Sequence, residues 1–190
     1  MAEQPQVPES VTPEQFFEEL MPMGFAAQVS EGGVTPQDAT IQFHLTGAGG
    51  GDWHAAIANG TMQVRKGSAE ANFTVTLGVD DWRDAVLGRN GASLVLIIPQ
   101  NRPGRPDNTA RAKALRGTMA LELSRPELEP FRVETCFGNA ATPKTTLRMA
   151  LAEYVGMQDG TQNGQQLFMQ GRIKVEGDMA FLMQVASLSM

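Results

Sequence analysis

The feature that most constrains the fold is a series of short segments in which apolar and polar residues alternate. In the first, Ile41, Phe43 and Leu45 point one way and the polar residues between them point the other. A period of two gives an extended chain one apolar side, so each such segment predicts a half-buried β-strand. Further alternating sets occupy residues 73–77, 119–123, 131–137 and 147–151.

Turn signals separate these segments. Asn59-Gly60 lies between two strand-like stretches and is typical of a two-residue hairpin. Prolines mark one later turn, and the segment at residues 138–143 marks another. The strands after residue 117 are therefore expected to form an antiparallel meander. Ile173–Glu176 and Met179 to about Val185 are predicted as two final strands.

Helix signals stand at both sides of the first strands. Thr12-Pro13-Glu14-Gln15 combines an N-cap, a proline in the first turn and a capping-box glutamine, and Pro22 with Gly24 is expected to end this helix. The helix is interpreted either as packing on the core or as a lid over an apolar pocket. A second helix should open at Asp80-Asp81-Trp82 and end at Gly88.

The pattern as a whole indicates an α+β fold, with a largely antiparallel or mixed sheet and helices on one face. No repeat of fixed period is present, but the strand-to-helix units at residues 73–88 and 145–156 have weakly similar sequence patterns. An architecture of this kind hosts many functions and does not identify one by itself.

Charge argues against one class of partner. The chain carries 15 Lys and Arg against 21 Asp and Glu, a net charge of −6, so binding to nucleic acid is not expected as a main role. One stretch is basic nevertheless. It is interpreted either as a solvated loop that enters a short helix or as a docking patch for an acidic partner or a lipid headgroup, and its cations are Arg102, Arg105, Arg111, Lys113 and Arg116.

Apolar runs are far shorter than the roughly 20 residues of a transmembrane helix, so no membrane span is expected. The first ten residues contain neither a basic residue nor an apolar core and do not resemble a signal peptide. Cys136 is the single cysteine, which fits a reducing compartment. These observations predict a cytoplasmic protein.

No motif in the sequence indicates a catalytic site. The glycine run at residues 47–51 is followed by Asp52 and a strand-like segment, so it does not fit a phosphate-binding loop. His44 and His54 lack metal-ligand spacing, and Cys136 is interpreted as a small buried hydrophobe. We therefore expect no catalytic residue, no metal and no cofactor, which favours binding over catalysis. The 11 methionines suit either a surface that accepts varied ligands or ordinary core filling.

The order of these patterns resembles the sterol-transfer domain of the sterol carrier protein family. The similarity begins with residues 41–47 and 51–60, which look like the first strand and the tryptophan strand with its turn. It continues in the strand-then-helix unit at residues 73–88. Residues 167–179 match the family's ending most closely, with a Leu-Phe helix, a glycine, a strand and a Gly-Asp turn.

The similarity covers about residues 12–98 and 160–188. Residues 99–159 are interpreted as an insertion of a loop and about three strands, which could add strands, reshape a cavity mouth or form a dimer surface. The predicted organisation is thus a flexible tail at residues 1–11 and a single sterol-carrier-like domain at residues 12–190.

The resemblance implies a twisted sheet and helices that enclose an apolar tunnel. The implied function is non-enzymatic binding, or intracellular transfer, of a sterol, fatty acid or acyl chain, with at most transient membrane contact and a possible homodimer. Some candidate lining residues should prove to be plain core. The candidates are Phe16, Leu20, Phe43, Phe73, Trp82, Val86, Phe168, Met169, Met179 and Met183.

Two alternatives stay open. The chain could be a structural or oligomerisation module that keeps the fold without a ligand, because inserted strands leave sheet edges that can pair. It could also be an enzyme or accessory subunit that acts on an acyl or polyketide-like substrate, in which case Cys136 or His54 would have to contribute.

Overall fold

The computed structural model describes residues 7–32, 37–96 and 108–188. Within these ranges, eight strands form one mixed sheet in the order β3-β2-β1-β4-β6-β5-β7-β8. The strands are β1 (Ala39–Thr46), β2 (Gly51–Ala58), β3 (Thr61–Lys66), β4 (Phe73–Gly78), β5 (Gly117–Arg125), β6 (Leu128–Phe137), β7 (Lys144–Ala150) and β8 (Lys174–Gly177). The predicted α+β class with a mixed sheet is confirmed.

Helical segments precede, separate and follow the strands. The first one runs without a break from α1 (Pro13–Gln15) through a π-helical turn (Phe16–Leu20) into α2 (Met21–Gly32). The others are α3 (Val79–Leu87), a 3₁₀ turn (Leu94–Leu96), α4 (Thr109–Ala114), α5 (Leu151–Asp159), α6 (Gly164–Met169) and α7 (Met179–Ala186). No helix in the described ranges has the length and apolar character needed to cross a membrane.

The start of the first helical segment is as predicted, and its end is not. The Thr12 hydroxyl accepts a hydrogen bond from the Gln15 N–H, and the Gln15 side chain accepts one from the Thr12 N–H, each at 3.2 Å. The prediction that Pro22 and Gly24 end the helix is wrong, because α2 continues to Gly32. The π turn changes the hydrogen-bond ladder just before Pro22, so the missing N–H of this proline falls at an existing break.

Strand pairing combines antiparallel and parallel neighbours. The Asn59-Gly60 hairpin joins β2 to β3 as predicted, with both residues at positive φ. β5 and β6 also pair in antiparallel fashion. The predicted meander is wrong beyond that point, since β7 pairs with β5 in parallel instead of with β6.

One arrangement occurs twice along the sheet. In the N-terminal half (residues 7–96), β1 lies between antiparallel β2 and parallel β4, and α3 follows β4 directly. In the C-terminal half (residues 108–188), β5 lies between antiparallel β6 and parallel β7, and α5 follows β7 directly. The weak similarity in sequence pattern between the two strand-to-helix units thus reflects a shared topology.

The helices and the core lie on one face of the sheet. Leu77, Val133 and Leu121 are in register on neighbouring strands and are buried in the same core as Phe17 and Trp82 from the helices. The opposite face carries charged side chains. There Arg148 on β7 pairs with Glu122 of β5 and Glu176 of β8. The predicted placement of the helices on one face is confirmed.

The last segment differs from its prediction. β8 lies close to the predicted strand Ile173–Glu176, but the predicted strand from Met179 to about Val185 is the helix α7. Asp178 caps α7 by accepting a hydrogen bond from the Phe181 N–H at 2.8 Å. A short apolar run does not distinguish a strand from a helix by its periodicity, so the Asp cap was the more informative signal. Residues 99–107, which begin the segment interpreted as an insertion, lie outside the described residues.

Candidate functional site

The ten candidate lining residues divide between the two halves of the sheet. Six belong to the N-terminal half, and of these only Leu20 and Phe73 are half-buried while the rest are buried. The other four belong to α6 and α7, and all are exposed. The first group therefore lies in or next to the protein interior, whereas the second lies at its surface.

Three of the N-terminal candidates, Phe16, Phe43 and Trp82, belong to a closely packed aromatic cluster that also contains Phe17 and Trp53. Phe17 lies at its centre, with ring centroids 4.9 Å from Phe43, 5.1 Å from Trp53 and 6.3 Å from Trp82. Phe16 contacts Trp82 edge-to-face at 5.7 Å. All five rings are at most 3% exposed, so this part of the interior is filled with side chains.

The π-helical turn explains how two consecutive phenylalanines both enter the core. Phe16 and Phe17 are its first two residues, and both are buried. The turn is also tied to the sheet, because Glu18 accepts a hydrogen bond from the Trp53 indole N–H at 3.1 Å. Phe17 and Trp53 were not among the predicted candidates. Trp53 could have been found from its strand, since it pairs directly with Phe43.

Trp82 carries a polar atom that the cluster does not satisfy. Among the described residues, its indole N–H is the buried side-chain donor or acceptor that has no hydrogen-bond partner. Leaving such a group unpaired costs about 1–3 kcal/mol. The ring is fully buried among the aromatic side chains of the first helical segment, and the apolar surface that it removes from water offsets this cost.

The C-terminal group consists of exposed apolar side chains on α6 and α7, which we call the apolar rim: Phe168, Met169, Met179 and Met183. Their exposed fractions are 51%, 79%, 48% and 59%. Buried neighbours fix the helices that carry them. Leu167 anchors α6, and Phe181 anchors α7 by packing on the Phe137 ring at 6.1 Å.

Phe181 fits because Gly117 leaves space for it. A Cβ atom at Gly117 would lie 2.8 Å from the Phe181 ring, closer than van der Waals contact allows. This close approach holds α7 at the end of the sheet where β5 begins. The large apolar side chains of the rim are then left in solvent on α6 and α7.

One cation of the basic stretch, Arg111, lies against the C-terminal end of α7, whereas Lys113 donates to the Asp38 carbonyl and Arg116 to carbonyls of its own segment. The Arg111 guanidinium donates hydrogen bonds to the backbone carbonyl and the hydroxyl of Ser187, and the Asn108 amide donates one to the Leu188 carbonyl. A cation at this end of a helix interacts favourably with the helix dipole. Arg102 and Arg105 lie outside the described residues.

A polar cleft of about 370 Å³ lies where the two halves meet. Arg125, which is 7% exposed on its side chain, donates to Asp81 at 2.9 Å and to Asp84 at 2.7 Å. Burial raises the pKa of Asp81, and its hydrogen bonds to Arg125 and to the Arg132 N–H oppose that shift. The lining mixes charged and small residues, so this cleft is not the predicted apolar tunnel.

The residues considered for catalysis do not form a joint site. His44 lies 2.7 Å from an Asp52 oxygen, and His54 lies 3.1 Å from the Gly67 carbonyl. Cys136 on β6 and His54 on β2 are separated by β4 and β1, which places them roughly 14 Å apart at the usual strand spacing. No group of three or more metal-ligating side chains occurs within the part of the chain that the structure describes.

Comparisons with known proteins point to one family. Residues 100–189 match the model of the SCP-2 sterol transfer family. No curated protein matches the chain in sequence. The similar solved structures include a double mutant of the sec-alkyl sulfatase PisA1 (14% identity, TM-score 0.32) and apo sterol carrier protein 2 from Yarrowia lipolytica (15% identity, TM-score 0.22).

These structural likenesses differ in coverage. The alignment to PisA1 covers 95% of this chain but only 16% of the sulfatase chain, and the alignment to the Yarrowia protein covers 93% and 98%. Both TM-scores lie below 0.5, so neither structure defines a function or a site for this chain. The family match is the finding that bears on function.

The matched range refines the resemblance. It contains the block at residues 167–179, whose similarity to the family's ending is thereby confirmed. It also runs through residues 100–159, the segment interpreted from the sequence as an insertion. The similarity of residues 12–98 lies outside the matched range.

Proposed function

We propose that this protein, whose residues 100–189 match the SCP-2 sterol transfer family, binds a lipid in its C-terminal half without transforming it. The observation that carries the proposal is that the family match falls on the half whose last two helices expose the apolar rim. A sterol, a fatty acid or an acyl chain has the hydrocarbon surface that such side chains would cover.

Burial of hydrocarbon supplies enough free energy for this function. A 16-carbon chain gains up to about 12 kcal/mol at roughly 0.8 kcal/mol per buried CH₂. The ordering of the chain and the loss of its free motion oppose that gain. Affinity at about the micromolar level, near −8 kcal/mol, is therefore within reach without any polar contact.

The proposal assigns different roles to the ten candidate residues. The apolar rim borders the entrance to the lipid site, whereas Phe16, Leu20, Phe43, Trp82 and Val86 belong to the N-terminal core or pack against it. Phe73 instead packs on the Phe137 ring of β6 at 5.8 Å. We also propose that the lipid site is an apolar tunnel and that the protein transfers lipid between membranes by transient contact. The chain is proposed to be cytoplasmic and to form a single domain. Packing of one rim against another would also allow a homodimer.

The test is titration with a fluorescent fatty acid together with native mass spectrometry of the gently purified protein. We expect saturable binding and a co-purified lipid mass. The absence of both would overturn the proposal. A dimer that buries the rim and takes up no lipid would instead establish the structural or oligomerisation role.

A substitution in the rim should weaken binding selectively. Met183→Gln keeps the length of the side chain but removes its apolar surface, so we expect the dissociation constant of the fatty acid to rise about three- to tenfold. Met23→Gln is the matched control, because Met23 on α2 is 60% exposed and Met183 is 59% exposed. Equal losses of affinity in the two variants would contradict the assignment of the rim.

A further inference from the structure

We propose that the two halves of this sheet are structurally equivalent and that only the C-terminal half holds lipid, because the equivalent space in the N-terminal half is filled by the protein's own aromatic side chains. The inference rests on the proposed function and locates its site.

The strand-to-helix junctions set the register. Gly78 precedes α3 with φ −70° and ψ 148°, and Ala150 precedes α5 with φ −71° and ψ 142°. Counting back three residues from each makes Val75 equivalent to Leu147. Val75 pairs with Phe43 on the adjacent parallel strand, and Leu147 pairs with Leu121.

The same register extends across the next strand. Phe43 pairs with Trp53 on β2, and Leu121 pairs with Val133 on β6. Two large aromatic positions of the N-terminal half are therefore occupied by a leucine and a valine in the C-terminal half.

A third equivalent position, in the helix after each junction, holds an aromatic ring in both halves. The fourth residue after the junction is Trp82 in one half and Tyr154 in the other. Tyr154 is half-buried against the same core, and desolvation raises its pKa to about 12. The equivalence thus holds for the inward side of both helices, while the sheet beneath the second helix carries the smaller side chains.

The covering element differs between the halves. In the N-terminal half, the segment before the first strand inserts Phe16 and Phe17 into the cluster. Before the first strand of the C-terminal half, the described elements are the 3₁₀ turn, which packs on α5 and buries Leu96, and α4, which has no buried residue, so neither contributes an aromatic ring. The most central ring of the N-terminal cluster therefore has no counterpart among the described residues of the C-terminal half.

A lipid could enter the N-terminal half only by displacing rings that already contact one another. Aromatic pairs of this geometry are worth about 0.5–1.5 kcal/mol each beyond their burial, and Phe17 makes four of them. The five rings of the cluster are at most 3% exposed, so the space that a hydrocarbon chain would need there is already occupied by side chains. Leu121 and Val133 at the equivalent sites are also buried, but a chain that enters the C-terminal half displaces these smaller aliphatic side chains instead of a set of rings in mutual contact.

The protein carries its own reporters for this test. Its two tryptophans, Trp53 and Trp82, both lie in the aromatic cluster of the N-terminal half. A fatty acid brominated along its chain quenches indole fluorescence only at close approach. We expect the unmodified protein to bind about one equivalent of brominated fatty acid, measured by native mass spectrometry, with little loss of tryptophan emission.

The variant Met183→Trp is the positive control, since it places an indole on the rim. Saturation with the brominated fatty acid should quench most of the emission that this introduced indole adds. Quenching of more than half of the emission of the unmodified protein would overturn the inference, and so would a second equivalent of bound lipid. Bound lipid that leaves the emission of the introduced indole unchanged would also overturn it, whereas an absence of any bound lipid would count against the proposed function itself.

Discussion

Replacement of Phe17 by Ala is expected to lower the free energy of unfolding by about 3–5 kcal/mol. The phenylalanine is fully buried and contacts four other rings, so its removal leaves a cavity that its neighbours cannot close without repacking. Chemical denaturation monitored by tryptophan fluorescence measures the loss, because both tryptophans contact this side chain.

Phe168→Ala serves as the matched control for Phe17→Ala. The same atoms are removed, but Phe168 is 51% exposed and leaves no enclosed cavity, so its effect on stability should be small. The opened space in the Phe17→Ala protein should also take up a small apolar molecule such as benzene. A Phe17→Ala protein as stable as the Phe168→Ala protein would show that the aromatic cluster is not a filled core.

Replacement of Arg125 by Ala should cost a similar amount, about 3–5 kcal/mol near neutral pH, because it leaves Asp81 and Asp84 as unpaired charges in a poorly hydrated site. Its side chain joins the hairpin of β5 and β6 to helix α3, so the loss also loosens the contact between the two halves. Thermal melts across the pH range measure the effect.

The pH dependence of this loss has a defined sign. Burial raises the pKa of Asp81, so the folded protein binds a proton on this carboxylate more tightly than the unfolded chain does. The contribution of Asp81 to the free energy of unfolding therefore falls as the pH rises through its folded pKa. Without Arg125 the pKa rises further. The difference between the Arg125→Ala and unmodified proteins should therefore shrink from about pH 7 to about pH 4.

Arg148→Ala is the control for Arg125→Ala. Arg148 also pairs with two carboxylates, but it lies on the solvent face of the sheet with 42% of its side chain exposed, and exposed ion pairs contribute little to stability. We expect a much smaller shift in melting temperature than for Arg125→Ala. Equal shifts would show that burial of the Arg125 pair contributes nothing.

Much of the local structure could be predicted because it depends on neighbours in sequence. The capping box at Thr12 and the turn at Asn59-Gly60 are fixed by hydrogen bonds and backbone angles within a few residues, and both are confirmed. Alternation also identified which side of β1 faces the core. The parallel pairing of β7 with β5 was missed because it depends on contacts between distant segments.

The candidate site was harder to predict for a related reason. The periodicity of apolar residues shows which side of a helix or strand is apolar, but it does not show whether that side is buried or exposed to solvent. Phe43 and Met183 were therefore selected by the same criterion, although one is 1% exposed and the other 59% exposed. The register between strands, which reveals that Leu121 and Val133 stand where Phe43 and Trp53 stand in the other half, becomes visible only in the assembled sheet.

The pairing of β4 with β6 joins the two halves in the middle of the sheet through five residue pairs. Neither half can melt without exposing an inner strand of the other, so heat should disrupt the chain in a single cooperative step. A ligand held at one end then protects the whole chain by mass action. The densely packed N-terminal half keeps the chain folded, so the C-terminal half can lose some of its internal packing when a ligand binds there.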